Sequence, residues 1–199
     1  MTHGDAAMFI QTEATPNPAT LKFLPGREVL PEGTADFRDA SAAREASPLA
    51  GRLFDINGVT GVFFGYDFVT VTKADGPDWQ HLKPAILGAI MEQFMSGQPV
   101  MSKAAQALGD AAETGDEFYD KADEEIVITI KELLETRVRP AVAQDGGDIT
   151  FRGFENGTVF LNMKGACSGC PSSTATLKHG IQNLLRHFVP EVQQVEQIS

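Results

Sequence analysis

The chain has 199 residues, 42% hydrophobic and 22% charged, with a formal net charge of −11, which suits one soluble domain or two of roughly 100 residues. That acidity excludes the basic stripe that neutralises nucleic-acid phosphates and the basic patch that docks on anionic lipid, so no nucleic acid and no membrane is expected as a partner. No uncharged apolar run approaches the roughly 18 residues of a membrane helix, and a single closely spaced cysteine pair excludes a secreted disulfide framework.

Met1 to Ile10 carries neither the basic nor the apolar region of a targeting signal, which reads as a cytoplasmic (bacterial) protein or as the processed form of a mitochondrial matrix protein. Charge then divides the chain. Residues 98–125 hold eight acidic and two basic side chains among alanines and glycines, the composition of a solvated tether. The expected organisation is α+β: two small α+β domains, residues 1–97 and 123–199, joined by an acidic linker over 98–122.

In the first domain, Phe9–Glu13 and Thr20–Leu24 read as short strands around the turn Thr15-Pro16-Asn17-Pro18. Ser47 before Pro48 is an N-cap with proline at the first helical position, opening a helix through Phe54. Val59–Phe64 and Phe68–Thr72 form a hairpin. Ile86, Ile90 and Phe94 give a closing amphipathic helix, bent or started by Pro84. His81 reads as a surface histidine.

The second domain reads in the order α-β-β-α-β. Ile126, Val127, Ile130, Leu133, Leu134 and Val138 make one apolar stripe, predicting a helix from about Asp123 to Arg139, limited by Pro140. Asp148–Phe154 and Thr158–Met163 flank Asn156-Gly157 as a hairpin. Leu177, Ile181, Leu184, Leu185 and Phe188 share a face of the last helix, and a strand follows near Val192–Ile198. Asp145-Gly146-Gly147-Asp148 reads as a backbone reversal; it has too few ligands for a calcium site.

The chemistry lies in Gly165-Ala166-Cys167-Ser168-Gly169-Cys170-Pro171, between the hairpin and the last helix. Cys167 and Cys170 are the only cysteines. Pro171 suits the first helical turn, placing Cys170 at the N-cap, where unpaired N–H groups and the helix dipole favour thiolate. Thiols at this spacing chelate one edge of a metal or iron–sulfur centre, which takes about four ligands. One chain therefore supplies half a site. His179 lies about 13 Å along the helix from Cys170 and cannot join it. Inert buried thiols are disfavoured by the glycines and proline around the pair. A thiol-disulfide oxidoreductase is the alternative, although its pair normally precedes most of its sheet and only 29 residues follow Cys170. Structural zinc held by two chains is also open.

The second domain closely resembles the NifU-like C-terminal domain through Gln144-Asp145-Gly146-Gly147-Asp148, Gly165, Cys167, Cys170-Pro171-Ser172-Ser173, Thr176-Leu177, Gly180-Ile181 and Val189-Pro190-Glu191-Val192. The first resembles the N-terminal domain of Nfu-type scaffold proteins through Thr12-Glu13, Thr15-Pro16-Asn17-Pro18 and Leu21-Lys22-Phe23-Leu24-Pro25-Gly26. The resemblance implies a non-enzymatic scaffold and carrier. Two chains would pool Cys167 and Cys170 to hold a 4Fe-4S cluster as a homodimer, receive it from upstream cluster assembly proteins and pass it to apo iron–sulfur recipients. Four thiolates accept 2Fe-2S equally well.

Overall fold

Alternating apolar and polar residues near the chain start build an antiparallel sheet from β1 (Gln11–Ala14), β2 (Thr20–Leu24), β3 (Ala35–Phe37), β4 (Val59–Phe64) and β5 (Val69–Lys73), in the order β1-β2-β5-β4-β3. The structure is a computed structural model describing residues 9–103, 105, 117–168 and 171–198, with the backbone alone for 171–173. Of the expected acidic linker over 98–122, residues 104 and 106–116 lie outside the described residues.

One face of this sheet is apolar. Phe23, Val62, Phe64, Val69 and Val71 pack beneath α2 (Pro48–Phe54) and α3 (Trp79–Ser96), against Leu49, Leu53, Ile86 and Ile90. Ser47 caps α2 as expected, accepting from Ala50 N–H at 3.1 Å, and its hydroxyl also donates to Val100 O. Pro84 lies inside α3, so the proline does not mark the helix start. Asp78 precedes Trp79 as the extended N-cap residue, and Pro84 falls in the second turn. The first strand starts two residues and ends one residue later than expected, at Gln11–Ala14, where it pairs with Leu21–Leu24. The short β3 and α1 (Ala40–Ala46) were not anticipated.

The other sheet face carries Lys22, Phe63 and Thr70, all buried. Strand alternation puts them opposite the helices, with Lys22 paired to Thr70 and Thr70 to Phe63. What buries them is the second unit.

That unit begins with a 3₁₀ turn (Lys121–Asp123) leading into α4 (Glu124–Leu133), a π turn (Leu134–Val138) and α5 (Arg139–Gln144). The helical path thus passes Pro140 rather than ending at it. The π turn displaces the preceding carbonyls from the α register, relieving the clash and lost hydrogen bond that stop a regular helix. β6 (Gly147–Glu155) and β7 (Thr158–Gly165) form the expected hairpin. Positive φ at Asn156 (50°) and Gly157 (79°) supplies the two left-handed residues of its turn. α6 (Pro171–Phe188) returns the chain so that β8 (Gln194–Gln197) pairs parallel to β7. Val127, Ile130, Ile149, Leu161, Met163, Ile181 and Leu185 form a separate core. No described helix is long and apolar enough to cross a membrane.

Candidate functional site

Gly165 ends β7 with a φ of 65°, turning the chain out of the sheet toward Cys167. A Cβ there would lie 2.7 Å from Gly146 O and 3.0 Å from the Phe63 ring, so glycine is required by both conformation and space. The loop is tied at several points. Ala166 N–H donates to Gly146 O at 3.2 Å, and Ser168 donates to Gly165 O from its N–H at 3.2 Å and its hydroxyl at 2.9 Å. Thr174, in the first turn of α6, donates its hydroxyl to Cys167 O at 3.1 Å. The helix starts at Pro171, as the sequence predicts. Cys170, the second expected ligand, lies with Gly169 outside the described residues.

Cys167 turns inward. It is 6% exposed and belongs to the same core cluster as Ile149 and Met163. Gly147 makes room for it, because a Cβ at that position would sit 2.6 Å from Cys167 Sγ and 2.7 Å from Lys164 O. Gly146, at φ 81°, makes the expected reversal. Gly147 has a different task from the one read in the sequence: it lets the sulfur approach the backbone.

Burial pushes the Cys167 thiol up to about 12 from an ordinary 9.0, with Asp145 and Asp148 adding to the rise. The thiolate expected at a helix start is therefore not the favoured form of Cys167 here. A helix end is worth about 1 kcal/mol, whereas full desolvation moves a pKa by up to about 3–5 units. A proton is retained by the folded chain between pH about 9 and about 12 after the unfolded chain has lost it, so stability falls as pH rises through that window. The slope reaches about 1.4 kcal/mol per pH unit. Denaturant titrations of metal-free protein at about pH 8 and about pH 10 should show this loss, and Cys167→Ala should lack that part of it.

Asp148 anchors the strand beside this thiol. Its Oδ1 accepts from Arg139 Nε at 2.9 Å and from Ile149 N–H at 2.8 Å; its Oδ2 accepts from Arg139 Nη2 at 2.9 Å and from the Thr34 hydroxyl at 3.0 Å. Arg139 also donates to Glu135 at 2.8 Å. Hydrogen bonding to Asp148 is the main reason the guanidinium is held above its ordinary pKa. With both carboxylate oxygens occupied by donors, the buried Asp148 is a structural clamp, consistent with a turn rather than a cation site.

The first unit also reaches the thiol loop. Arg38 Nη2 donates to Ser168 Oγ at 2.7 Å, and Asn17 Nδ2 approaches Ser168 O at 3.5 Å. Thr70 donates its hydroxyl to Gly146 O at 2.8 Å, and Lys22 Nζ donates to Gln144 O at 3.2 Å. Nothing in the local sequence distinguishes Lys22, Thr34, Arg38 or Thr70 from ordinary strand and loop polar residues, and the sequence reading missed all four. Burial also raises the carboxyl pKa of Asp36, against the pull of Arg38, which pairs with it at 3.1 Å.

His81 and His179 are exposed. Among the described residues no group of three or more His, Cys, Asp or Glu side chains is placed to hold a metal ion. A groove of about 570 Å³ between α5 and α6, lined by Val138, Ala141, Leu177, Ile181, Leu184 and Pro16, is largely aliphatic and does not include Cys167.

Comparison with known proteins agrees with this two-part build. Residues 10–97 match the scaffold protein Nfu/NifU N-terminal family, and residues 130–196 match the NifU-like domain family. The chain is 52% identical over 196 residues to a Drosophila erecta protein named "NFU1 iron-sulfur cluster scaffold homolog, mitochondrial", covering 98% of this chain and 66% of that protein. It is 51% identical over 196 residues to the Drosophila persimilis protein of the same name, covering 98% and 67%. It is 54% identical over 193 residues to Arabidopsis thaliana "NifU-like protein 4, mitochondrial", covering 96% and 66%. The chain thus spans about two thirds of the length of these relatives. A solution structure of a Saccharomyces cerevisiae NifU-like protein is 27% identical, with a TM-score of 0.45, covering 52% of this chain and 93% of that one. With both halves matched in their own order and relatives aligned across nearly all of its length, the chain belongs to the Nfu family of iron–sulfur cluster scaffold proteins.

Proposed function

We propose that this chain is a non-catalytic carrier that holds a 4Fe-4S cluster between two copies of itself through Cys167 and Cys170 and releases it to apo recipient proteins. One observation carries the reading: the chain's only two thiols fall in sequence between the end of β7 at Gly165 and the start of α6 at Pro171, and a tetrathiolate centre needs twice that number. Thiolates suit the iron of such a cargo, and each loses its proton to solvent as it ligates. Bridging favours release, because ligands can be exchanged stepwise as the two chains separate, whereas four ligands on one rigid chain must be given up together. The relatives' printed names place those proteins in mitochondria, which supports the matrix rather than the bacterial cytoplasm as this chain's location. The thiol-disulfide alternative gains nothing from Cys167, whose raised pKa is opposite to that of an activated attacking thiol.

Anaerobic reconstitution with ferrous iron and sulfide, followed by light scattering and metal analysis, tests the proposal. One cluster per two chains is the expected result. Cys167→Ala and Cys170→Ala should each abolish retention, by more than tenfold, while circular dichroism stays native. A full iron and sulfide complement on a monomer would refute sharing. Colourless protein holding one zinc per two chains would refute the cargo.

A further inference from the structure

We propose that the first unit is an intramolecular latch on the thiol loop: its polar sheet face docks on the two segments that frame Cys167, and a second chain cannot pair there until it lets go. The contacts converge on both sides of the thiol. Arg38 holds Ser168, the residue immediately after Cys167, while Asn17 approaches the Ser168 carbonyl. Thr70 and Lys22 grip the carbonyls of Gly146 and Gln144, in the turn leading to Gly147, against which the sulfur packs. Thr34 reaches Asp148 on the far side of that glycine. Phe63 lies under Gly165, where any Cβ would strike its ring.

A sheet face normally buries apolar side chains, but this one buries a lysine and a threonine. Each is satisfied by a carbonyl of the other unit, at Gln144 and Gly146, so the face is matched to the turn that frames the thiol. Lys22 also lies 4.8 Å from the centre of the Phe68 ring and 3.7 Å from Glu13, which places its charge before docking.

Exclusion follows from distance. Thiolates of a second chain must come within roughly 2.3 Å of a shared metal, and Arg38 and Asn17 already sit on Ser168, between the two cysteines. Cys167 must also leave the core to ligate, which requires the loop to loosen. Only this consequence rests on the shared-cluster reading; the docking itself does not. If binding requires the undocked form, apparent affinity for cargo scales with the undocked fraction.

The test uses full-length, metal-free Arg38→Ala/Thr70→Val protein. Arg38 is exposed, and valine keeps the shape and strand preference of Thr70, so the first unit, followed through Trp79, should stay folded, with only a small fall in melting temperature from the lost Arg38–Asp36 pair and the weaker docking. Removing one charged and one neutral hydrogen bond should raise the undocked fraction about tenfold or more. Iodoacetamide labelling of Cys167, read on its peptide by mass spectrometry, should accelerate by that factor, and the radius of gyration from X-ray scattering should increase. Unchanged labelling or an unchanged radius would overturn the latch. Faster labelling in a protein that takes up no iron and sulfide, with the parent taking up none either, would support the latch and refute the cargo.

Discussion

Asp148→Ala is expected to destabilise the second unit by about 3 kcal/mol, near the lower end of the range for breaking a buried ion pair. The value follows from what the substitution abandons. Asp148 is 4% exposed and takes four hydrogen bonds, two of them from the Arg139 fork. Its loss leaves a guanidinium that is mostly buried and retains only Glu135. Arg139 side-chain exposure of 27% lets some water back, which is why the upper end is not expected. For a unit of this size the shift in melting temperature should be about 12–24 °C. Trp79, the only tryptophan, lies in the first unit and should report a far smaller change, while circular dichroism shows the second unit melting early. Replacing the pair with Arg139→Met and Asp148→Leu should restore much of the loss, because no buried charge is then stranded. Thr34→Val removes only the bond from the first unit and should cost less than about 1 kcal/mol. A drop below 1 kcal/mol for Asp148→Ala would show that the clamp contributes little.

The second unit was more legible in the sequence than the first, for physical reasons visible in single residues. Ile181 and Leu185 fall one turn apart and are both buried, so their periodicity reports directly on packing. Asn156-Gly157 fixes the hairpin because its turn needs two left-handed residues. α1 left no such trace. Its sequence is Ala-Ser-Ala-Ala-Arg-Glu-Ala, only Ala43 is buried, and the one local clue is Asp39 capping Ala42 N–H. β3 is three residues long and shows no alternation to detect. Pro140 misled because a proline is read against a regular helix, and the π turn before it makes the helix irregular. The position of Cys167 just past the end of a strand was readable, but its inward turn was not. That depends on Gly147, twenty residues away in sequence, and on contacts from Arg38 and Thr70, roughly a hundred or more residues away.

Gly147→Ala tests that inward turn most directly, and its effect should be large because two of the three nearest atoms cannot yield. The Cys167 sulfur, 2.6 Å from the added carbon, can rotate away; Lys164 O at 2.7 Å and Cys167 N at 3.1 Å are backbone. Gly147 pairs with Gly165 and Asp148 with Lys164, so relief requires opening the end of the β6–β7 ladder or expelling the thiol from the core. Overpacking of this kind costs about 1–3 kcal/mol. The structural readout should exceed the energetic one: Cys167, forced outward, should be alkylated at least tenfold faster at neutral pH, where the buried thiol is protonated. Gly180→Ala is the matched control. Gly180 lies within α6 and an added Cβ meets nothing within 4 Å, so alanine should stabilise the same unit by about 1 kcal/mol through helix propensity. The two substitutions add the same methyl to the same unit and should move its melting temperature in opposite directions. If both raise it, the sulfur does not pack against Gly147 in solution. If Gly147→Ala lowers it without accelerating alkylation, the strain is taken up by the strand ladder and Cys167 stays in the core.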